Sequence, residues 1–425
     1  MDNTDKIYIN EFIKNNVNNF NDKYFNKINN LALFYKKQLK YMENNNIYKL
    51  IILIKKKKIS QKELYNIFVN KNNIENINFM TGKLKDEIIK EIKYEYIFNY
   101  EIPFLTENNK NKIFFYLGDD MKEDDIFKII KKLIERLIFI IKYSIVFNNE
   151  KNNNVHLPLI KIYYTSLKKE LHKDANEPFI PFEINSAFTN TYTDKHIFIW
   201  RKEELLKCFI HELMHMYKFE FAYYTFPFRY KTLIYNTYRI DSNQSIKPNE
   251  AYCETLGNIL NIIIIMVNNT PEIELYKEMF SKLYSKELYF SLNQLSKIFN
   301  FLQYKSANDF YTTSTVGLPL KQETDVLSYH YFKTKLLFNL SNFFNIIDPK
   351  NINKNNDLLF LKYKLENKII NLNFFNNFSK LLLNINKNLE KAITLQIQYI
   401  NENNKENIKI DNNLKMTILD DMDFK

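Results

Sequence analysis

Apolar residues along this chain follow two spacings, and the change between them divides the chain near residue 110. In residues 1 to about 108, apolar positions lie three or four apart between Asn-rich connectors such as residues 70–76, which predicts helices. Beyond residue 110, short runs of β-branched and aromatic residues predict four strands, at residues 113–117, 159–164, 182–191 and 196–200. The pattern predicts an α+β fold in which a helical N-terminal region precedes a small sheet.

Acidic residues, basic residues and proline mark where the helices around this sheet begin. An acidic first turn predicts a helix at residues 119–147, and charged residues open a shorter one at residues 201–217. Pro248 begins a third helix that ends near Val267. The chain beyond about residue 270 is helix-dominated, with an Asn-rich break at residues 351–356. We therefore predict a helical N-terminal region at residues 1–108, a domain at 109–345 and a mostly helical C-terminal segment at 346–425.

Composition and charge argue against a nucleic-acid-binding protein. Hydrophobic residues make up 45% of the chain, which is typical of a globular protein, and the net charge is +11. The one compact basic block is Lys55 to Lys58, and no stripe of basic residues interleaved with stacking aromatic residues stands out. We expect a solvated, Lys-rich surface and no nucleic-acid partner.

Cysteine usage and the apolar segments indicate the compartment. Cys208 and Cys253 cannot make a disulfide framework, which is typical of a reducing environment. The polar N-terminus does not have the pattern of a secretory signal. The apolar stretches at residues 133–147 and 259–267 are too short or carry charges, so we expect no membrane span. The sequence favours an intracellular, cytoplasmic protein.

One short motif carries chemistry: His211, Glu212 and His215 form the sequence H-E-x-x-H on a predicted helix. Two His four residues apart project from one helix face, so each can place a ring nitrogen about 2 Å from one zinc ion. Glu212 is turned slightly off that face and can act as the general base for a zinc-bound water. The alternative is a helix with two buried His that make ordinary hydrogen bonds. The apolar flanks of the motif favour the zinc site, because they predict the mostly buried helix that it needs.

A catalytic zinc takes three protein ligands, so a third ligand must come from elsewhere. A metzincin would have Gly at position 218 and His at 221, where this chain has Lys218 and Phe221, so that subclass is excluded. Glu250 and Glu254 are four residues apart on one face of a later helix. One of them can bind zinc while the other accepts the second ring N–H of a ligating His. Cys253 is a further candidate as a thiolate ligand.

The arrangement N-E-x-x-x-E after H-E-x-x-H resembles the gluzincin family of metallopeptidases. The resemblance implies that Glu250 is the ligand and that Glu254 orients His211. It also implies a zincin-like domain, with a small mixed sheet, an active-site helix and a helical C-terminal lobe. Residues 183–189 and 197–204 are similar to segments of uncharacterised H-E-x-x-H proteins of large DNA viruses, which implies a host-cell cytoplasm or virion location. The resemblance covers residues 110–345, and the 35-residue spacing from His215 to Glu250 is longer than in the shortest gluzincins.

Zinc-dependent hydrolysis of a peptide or protein substrate is therefore the predicted function. Such enzymes need a donor to the oxyanion of the tetrahedral intermediate, and the segment Ser328-Tyr329-His330-Tyr331 offers three candidates. We favour Tyr331, followed by His330. Asn185 or Ser186, on the predicted edge strand, could bind an extended peptide by strand addition. Three other histidines have no ligand partner at helical spacing and are expected to be structural or exposed: His156, His172 and His196.

The main alternative is a catalytically silent structural or virion protein with a zincin fold. Glu212 argues against it, because a site without turnover has no use for a general base.

Overall fold

The computed structural model describes residues 3–69, 82–105, 109–148, 155–190, 195–219, 226–241, 245–347, 372–405 and 411–420. The α+β class that the sequence predicts is confirmed. The chain forms two compact units. The sheet unit comprises Phe34–Lys169 and Asn185–Phe219, and the helical unit comprises Met1–Leu33, Glu170–Ile184 and Glu220–Lys425. The predicted division at residues 108 and 345 stays a prediction.

The described residues contain six strands: β1 (Ile52–Lys58), β2 (Tyr94–Glu101), β3 (Lys110–Leu117), β4 (Leu159–Tyr164), β5 (Ala187–Asn190) and β6 (His196–Ile199). The helices of the first half are α1 (Asn3–Asn44), α2 (Gln61–Val69), α3 (Gly82–Glu91), α4 (Glu123–Asn148), α5 (Pro181–Ile184) and α6 (Leu205–Met216). Those of the second half are α7 (Phe228–Thr237), α8 (Pro248–Asn269), α9 (Tyr276–Phe301), α10 (Lys333–Phe338), α11 (Leu340–Ile347), α12 (Leu372–Leu383) and α13 (Lys387–Lys405).

The six strands form one mixed sheet in the order β1-β2-β3-β4-β6-β5. The pairs β3–β4 and β4–β6 are parallel, and the other three pairs are antiparallel. Helix α4 makes the crossover between the parallel strands β3 and β4, as such strands require. It begins with Glu123, Asp124 and Asp125, whose carboxylates suit the positive end of the helix dipole. Strand β5 lies at one edge of the sheet.

Strands β1 and β2 correct the prediction that residues 1–108 are helical. Strand β1 was missed because it contains Lys55 to Lys58, residues that are poor strand formers in the interior of a sheet but suit an exposed edge. Three of these lysines lie within 4.0 Å of carboxylates: Lys55 of Glu95, Lys56 of Asp120 and Glu123, and Lys57 of Glu63 and Glu95. The one basic block of the sequence is therefore largely neutralised within the sheet unit.

The prediction of a strand at residues 182–191 is wrong in its first half. Residues 181–184 form the helical turn α5, and the strand is only Ala187–Asn190. The Glu183 carboxylate explains the turn, since it accepts the backbone N–H of Ile180 at 3.1 Å and lies 3.0 Å from His172 Nδ1. The strand predicted at 159–164 is confirmed, and that at 196–200 ends one residue early. The connectors predicted at residues 70–76 and 351–356 lie outside the described residues.

In the helical unit, α8 packs against α9 and α10. Its side chains are buried from Ala251 to Val267, which explains the long apolar run in its sequence. By length and composition α8 could cross a membrane, and 94% of its most apolar window is buried inside the protein.

Candidate metal centre and catalytic site

Helix α6 carries the H-E-x-x-H motif and begins at an unusual residue. Glu204 precedes its first turn with a left-handed backbone φ of 63°, a conformation that costs about 1 kcal/mol for a residue with a Cβ. Its carboxylate lies 2.8 Å from Lys169 Nζ, and both side chains are fully buried. This ion pair holds the start of α6 in place, because breaking a buried pair leaves one charge without compensation.

The two motif histidines direct the same ring nitrogen to one point. His211 Nε2 and His215 Nε2 are 2.8 Å apart, and the two rings meet nearly edge to face at 72°. His211 is buried and His215 is half-buried. One turn of α6 separates the two residues, so the helix itself produces this convergence.

Glu212 is buried, and its carboxylate is held by the edge strand. The Thr189 hydroxyl on β5 donates to Glu212 Oε2 at 2.6 Å, and the same hydroxyl oxygen lies 3.3 Å from the backbone oxygen of Glu212. Helix α6 packs against β5 and β6, which brings the two side chains together. Sequence reasoning did not select Thr189. The only signal for it was its position within the predicted edge strand.

The pairing of β5 with β6 determines which backbone groups of β5 point away from β6. The backbone N–H of Trp200 donates to the carbonyl of Ser186, so these two residues form a hydrogen-bonded pair. Antiparallel pairs alternate, and in this register Ala187 and Thr189 occupy the non-hydrogen-bonded positions opposite Ile199 and Ile197. Their N–H and C=O groups point away from β6. Within the described residues, no strand pairs with that second edge of β5.

Glu250 lies in the first turn of α8, and neighbouring side chains hold both of its carboxylate oxygens. The Tyr329 hydroxyl donates to Glu250 Oε2 at 3.1 Å, and the Asn249 side-chain amide donates to Oε1 at 3.4 Å. The backbone N–H of Glu250 donates to the Lys247 carbonyl at 3.1 Å. Pro248 at the start of the helix explains why it begins here, since proline lacks the N–H that a first turn leaves unpaired.

Tyr329 belongs to a short π-helix, Leu327–Phe332, that packs against α8. Ser328 donates its hydroxyl to the Lys247 carbonyl at 2.8 Å, and Asp325 lies 3.0 Å from Lys247 Nζ. The π-helix and the start of α8 are thus joined at several points around Glu250. Single π-helical turns are often found at functional sites.

Among the described residues, one group of three side chains has the composition and spacing of a metal site: His211, His215 and Glu250. Each offers one ligand atom, and these atoms all lie within 4.8 Å of one another. Two imidazole nitrogens and a carboxylate oxygen are the donor set of many catalytic zinc sites. Ligands at about 2.05 Å in a tetrahedron are about 3.4 Å apart, so a small rotation of the rings from 2.8 Å would fit the ion. The donor chemistry therefore fits zinc.

Two other predicted ligands are not part of this group. Glu254 is buried one turn after Glu250 on α8, and its role as the residue that orients His211 stays a prediction. Cys253 is fully buried on the same helix, and Cys208 is buried on α6.

The candidate oxyanion donors occupy different surroundings. Tyr331 is packed among aromatic rings that include Phe299 and Phe310. Its hydroxyl interacts with those of Tyr238 and Tyr311, and burial raises the pKa of Tyr331 well above its usual value. His330 is also buried. Tyr329 is the candidate whose hydroxyl contacts Glu250. The predicted roles of Tyr331 and His330 stay predictions.

Asn185 and Ser186, the predicted substrate-binding residues, precede β5 rather than belonging to it. The Asn185 carbonyl accepts hydrogen bonds from the Trp200 indole N–H and from Arg201, and the Ser186 carbonyl accepts the backbone N–H of Trp200. These backbone groups are directed toward the end of β6 rather than toward the second edge of β5.

The remaining histidines lie outside the metal group. His156 is exposed, and His196 on β6 meets the Phe198 ring edge to face. His172 lies beside Glu183, and its ring meets those of Phe179 and Phe301 edge to face.

Comparison with known proteins gives no assignment for this chain. No protein-family model, curated protein or solved structure matches it.

Proposed function

We propose that this protein is a zinc-dependent peptidase of the gluzincin type, with Zn²⁺ held by His211, His215 and Glu250. One observation carries the proposal: the ligand atoms of these residues, which the sequence pattern selects, lie within 4.8 Å of one another. An H-E-x-x-H pair alone occurs in helices with other roles. A carboxylate from a separate helix at this distance is what a metal site requires in addition.

We infer a zincin-like fold for the sheet unit from its topology. The motif helix packs on a mixed sheet whose edge strand, β5, runs antiparallel to its neighbour. A parallel β3–α4–β4 crossover precedes the motif helix, in the order that the resemblance implies.

The proposed chemistry assigns a separate task to each residue. Zinc, when bound, supplies Lewis-acid polarisation of a water molecule and of the substrate carbonyl. Glu212 takes the proton of the attacking water and returns it to the leaving amine. Its place beside the first ligand on α6, and outside the group of three ligands, supports this task.

We assign transition-state stabilisation to Tyr329 rather than to Tyr331. The Tyr329 hydroxyl already contacts the proposed ligand Glu250, and the residue is half-buried. The Tyr331 hydroxyl instead interacts with those of Tyr238 and Tyr311 within the buried aromatic core. A donor must be aimed at the place where negative charge develops, and only Tyr329 of the two contacts a proposed ligand.

The substrate we propose is an extended peptide that adds to β5. The main-chain groups of Ala187 and Thr189 face the second edge of that strand, so they replace Asn185 and Ser186 as the binding positions. Recognition through the main chain is independent of side-chain identity, which favours a protein or peptide substrate over a small molecule.

A catalytically silent structural or virion protein remains the second candidate, and the retained base Glu212 argues against it. Removal of the metal distinguishes the peptidase from the catalytically silent protein. We expect wild-type protein to cleave members of a mixed peptide library, to lose that activity in 1,10-phenanthroline, and to recover it when zinc is added. The measurement is mass spectrometry of the library. Cleavage that is unchanged by the chelator, or no cleavage by zinc-loaded protein, would rule the peptidase out.

A further inference from the structure

We propose that Thr189 is a positioning residue that fixes the general base and couples its orientation to peptide binding on β5. This inference rests on the proposed function, because Glu212 must act as the base for its orientation to matter. Thr189 is the residue that combines a side-chain contact to Glu212 with main-chain groups at the second edge of the strand.

The contact between Thr189 and Glu212 is short and directional. At 2.6 Å it has the length of a charge-assisted O–H···O⁻ hydrogen bond. A threonine side chain on a strand has few χ1 positions, so its hydroxyl is a stiff anchor. Glutamate has three rotatable bonds, and an anchor of this kind removes most of its alternative positions. The bond occupies Oε2 and thereby assigns proton transfer to Oε1.

The same residue connects the base to the substrate. Because Thr189 lies opposite Ile197 at a non-hydrogen-bonded position, its N–H and C=O point to the edge where a peptide would add. A peptide bound there would hydrogen-bond to the Thr189 N–H and C=O, while its neighbours Phe188 and Asn190 stay paired with β6. A fixed Thr189 main chain also fixes the position of the Thr189 hydroxyl, and the hydroxyl in turn holds the Glu212 carboxylate. Productive orientation of Glu212 is therefore linked to occupancy of β5.

A purely structural role for Thr189 is the competing explanation. Its hydroxyl oxygen also lies 3.3 Å from the Glu212 backbone oxygen, so it could simply hold α6 against β5. The structural role predicts loss of stability or of zinc when the hydroxyl is removed. The positioning role predicts loss of turnover with both unchanged.

The experiment compares Thr189→Val, which removes the hydroxyl at constant shape, with Thr189→Ser, which keeps it. For zinc-loaded Thr189→Val we expect kcat to fall by about 10- to 100-fold, as misplacement of a catalytic group does, with KM and zinc content nearly unchanged. Thr189→Ser should restore most of kcat. The control is Thr312→Val, which removes an exposed hydroxyl that bonds only to a backbone carbonyl. It should behave as wild type.

A second comparison uses a Glu212→Gln background. There Thr189→Val should change the residual rate by less than about twofold, because no base remains to be positioned. An unchanged kcat in Thr189→Val, or a Ser variant as impaired as Val, overturns the positioning role while wild-type cleavage leaves the peptidase intact. A loss that follows the zinc content or the melting temperature also overturns it. If wild type itself shows no metal-dependent cleavage, the proposed function fails and this role fails with it.

Discussion

Glu212→Gln is expected to slow peptide hydrolysis by about two to four orders of magnitude while leaving zinc bound. Glutamine has the shape of glutamate, and its amide oxygen can still accept the Thr189 hydroxyl, but it cannot take a proton. Loss of a general base typically costs about 10²- to 10⁴-fold in rate, and kcat/KM should fall by that amount. The measurement is steady-state cleavage of one peptide from the library, with metal analysis of the same samples. Zinc content should match wild type, because Glu212 is not part of the ligand group.

The control for this variant is Glu278→Gln, which removes one exposed carboxylate from α9. It should cleave at the wild-type rate. Should Glu212→Gln retain more than half of the wild-type kcat/KM, another residue is the base and the assignment is wrong. A variant that loses zinc as well as activity would instead place Glu212 among the ligands.

Glu250→Ala is expected to lose zinc affinity far more than a variant of any neighbouring residue. Removal of a residue that only supports a ligand typically costs about 10- to 100-fold in metal affinity, and removal of a ligand should exceed that range. Glu254→Ala, one turn along α8, should fall within it if Glu254 orients His211. Cys253→Ser should bind zinc as wild type does. Competition with a fluorescent zinc chelator gives the three dissociation constants.

This series also tests the alternatives that the sequence leaves open. Because the ligand group is His211, His215 and Glu250, the loss of zinc affinity should be largest in Glu250→Ala, smaller in Glu254→Ala and absent in Cys253→Ser. If Glu254→Ala loses more affinity than Glu250→Ala, the ligand and the supporting residue exchange places. Thermal unfolding of the metal-free variants provides the folding control, since Glu254 and Cys253 are buried.

The sequence predicts an element correctly where a single factor, such as burial or helix periodicity, determines the residues of that segment. Strand β4 is flanked on both sides by parallel partners, so its run of apolar residues predicts it to the residue. Helix α8 begins at its proline and continues through a buried apolar run, as predicted. The spacing of His211 and His215 places both on one helix face, which requires no tertiary information.

The sequence does not predict an element or a contact where contacts with other segments, or local side-chain contacts, override the composition of the segment. Strand β1 carries four lysines, and carboxylates from later segments, Glu95 and Asp120, lie within 4.0 Å of Lys55 and Lys56, so the composition of the strand conceals it. Phe182 and Ile184 have strand-forming side chains, but the local contacts of Glu183 make this segment a helical turn. Neither the Thr189–Glu212 contact nor the Tyr329–Glu250 contact follows from spacing, because each joins side chains brought together only by packing.

Zinc K-edge X-ray absorption of the zinc-loaded wild-type protein tests the central claim most directly, because it reports the ligand atoms themselves. The account predicts a first shell of nitrogen and oxygen only, at about 2.0–2.1 Å, with outer-shell scattering from two imidazole rings. A sulfur neighbour at about 2.3 Å, or a shell without two imidazoles, would contradict binding by His211, His215 and Glu250.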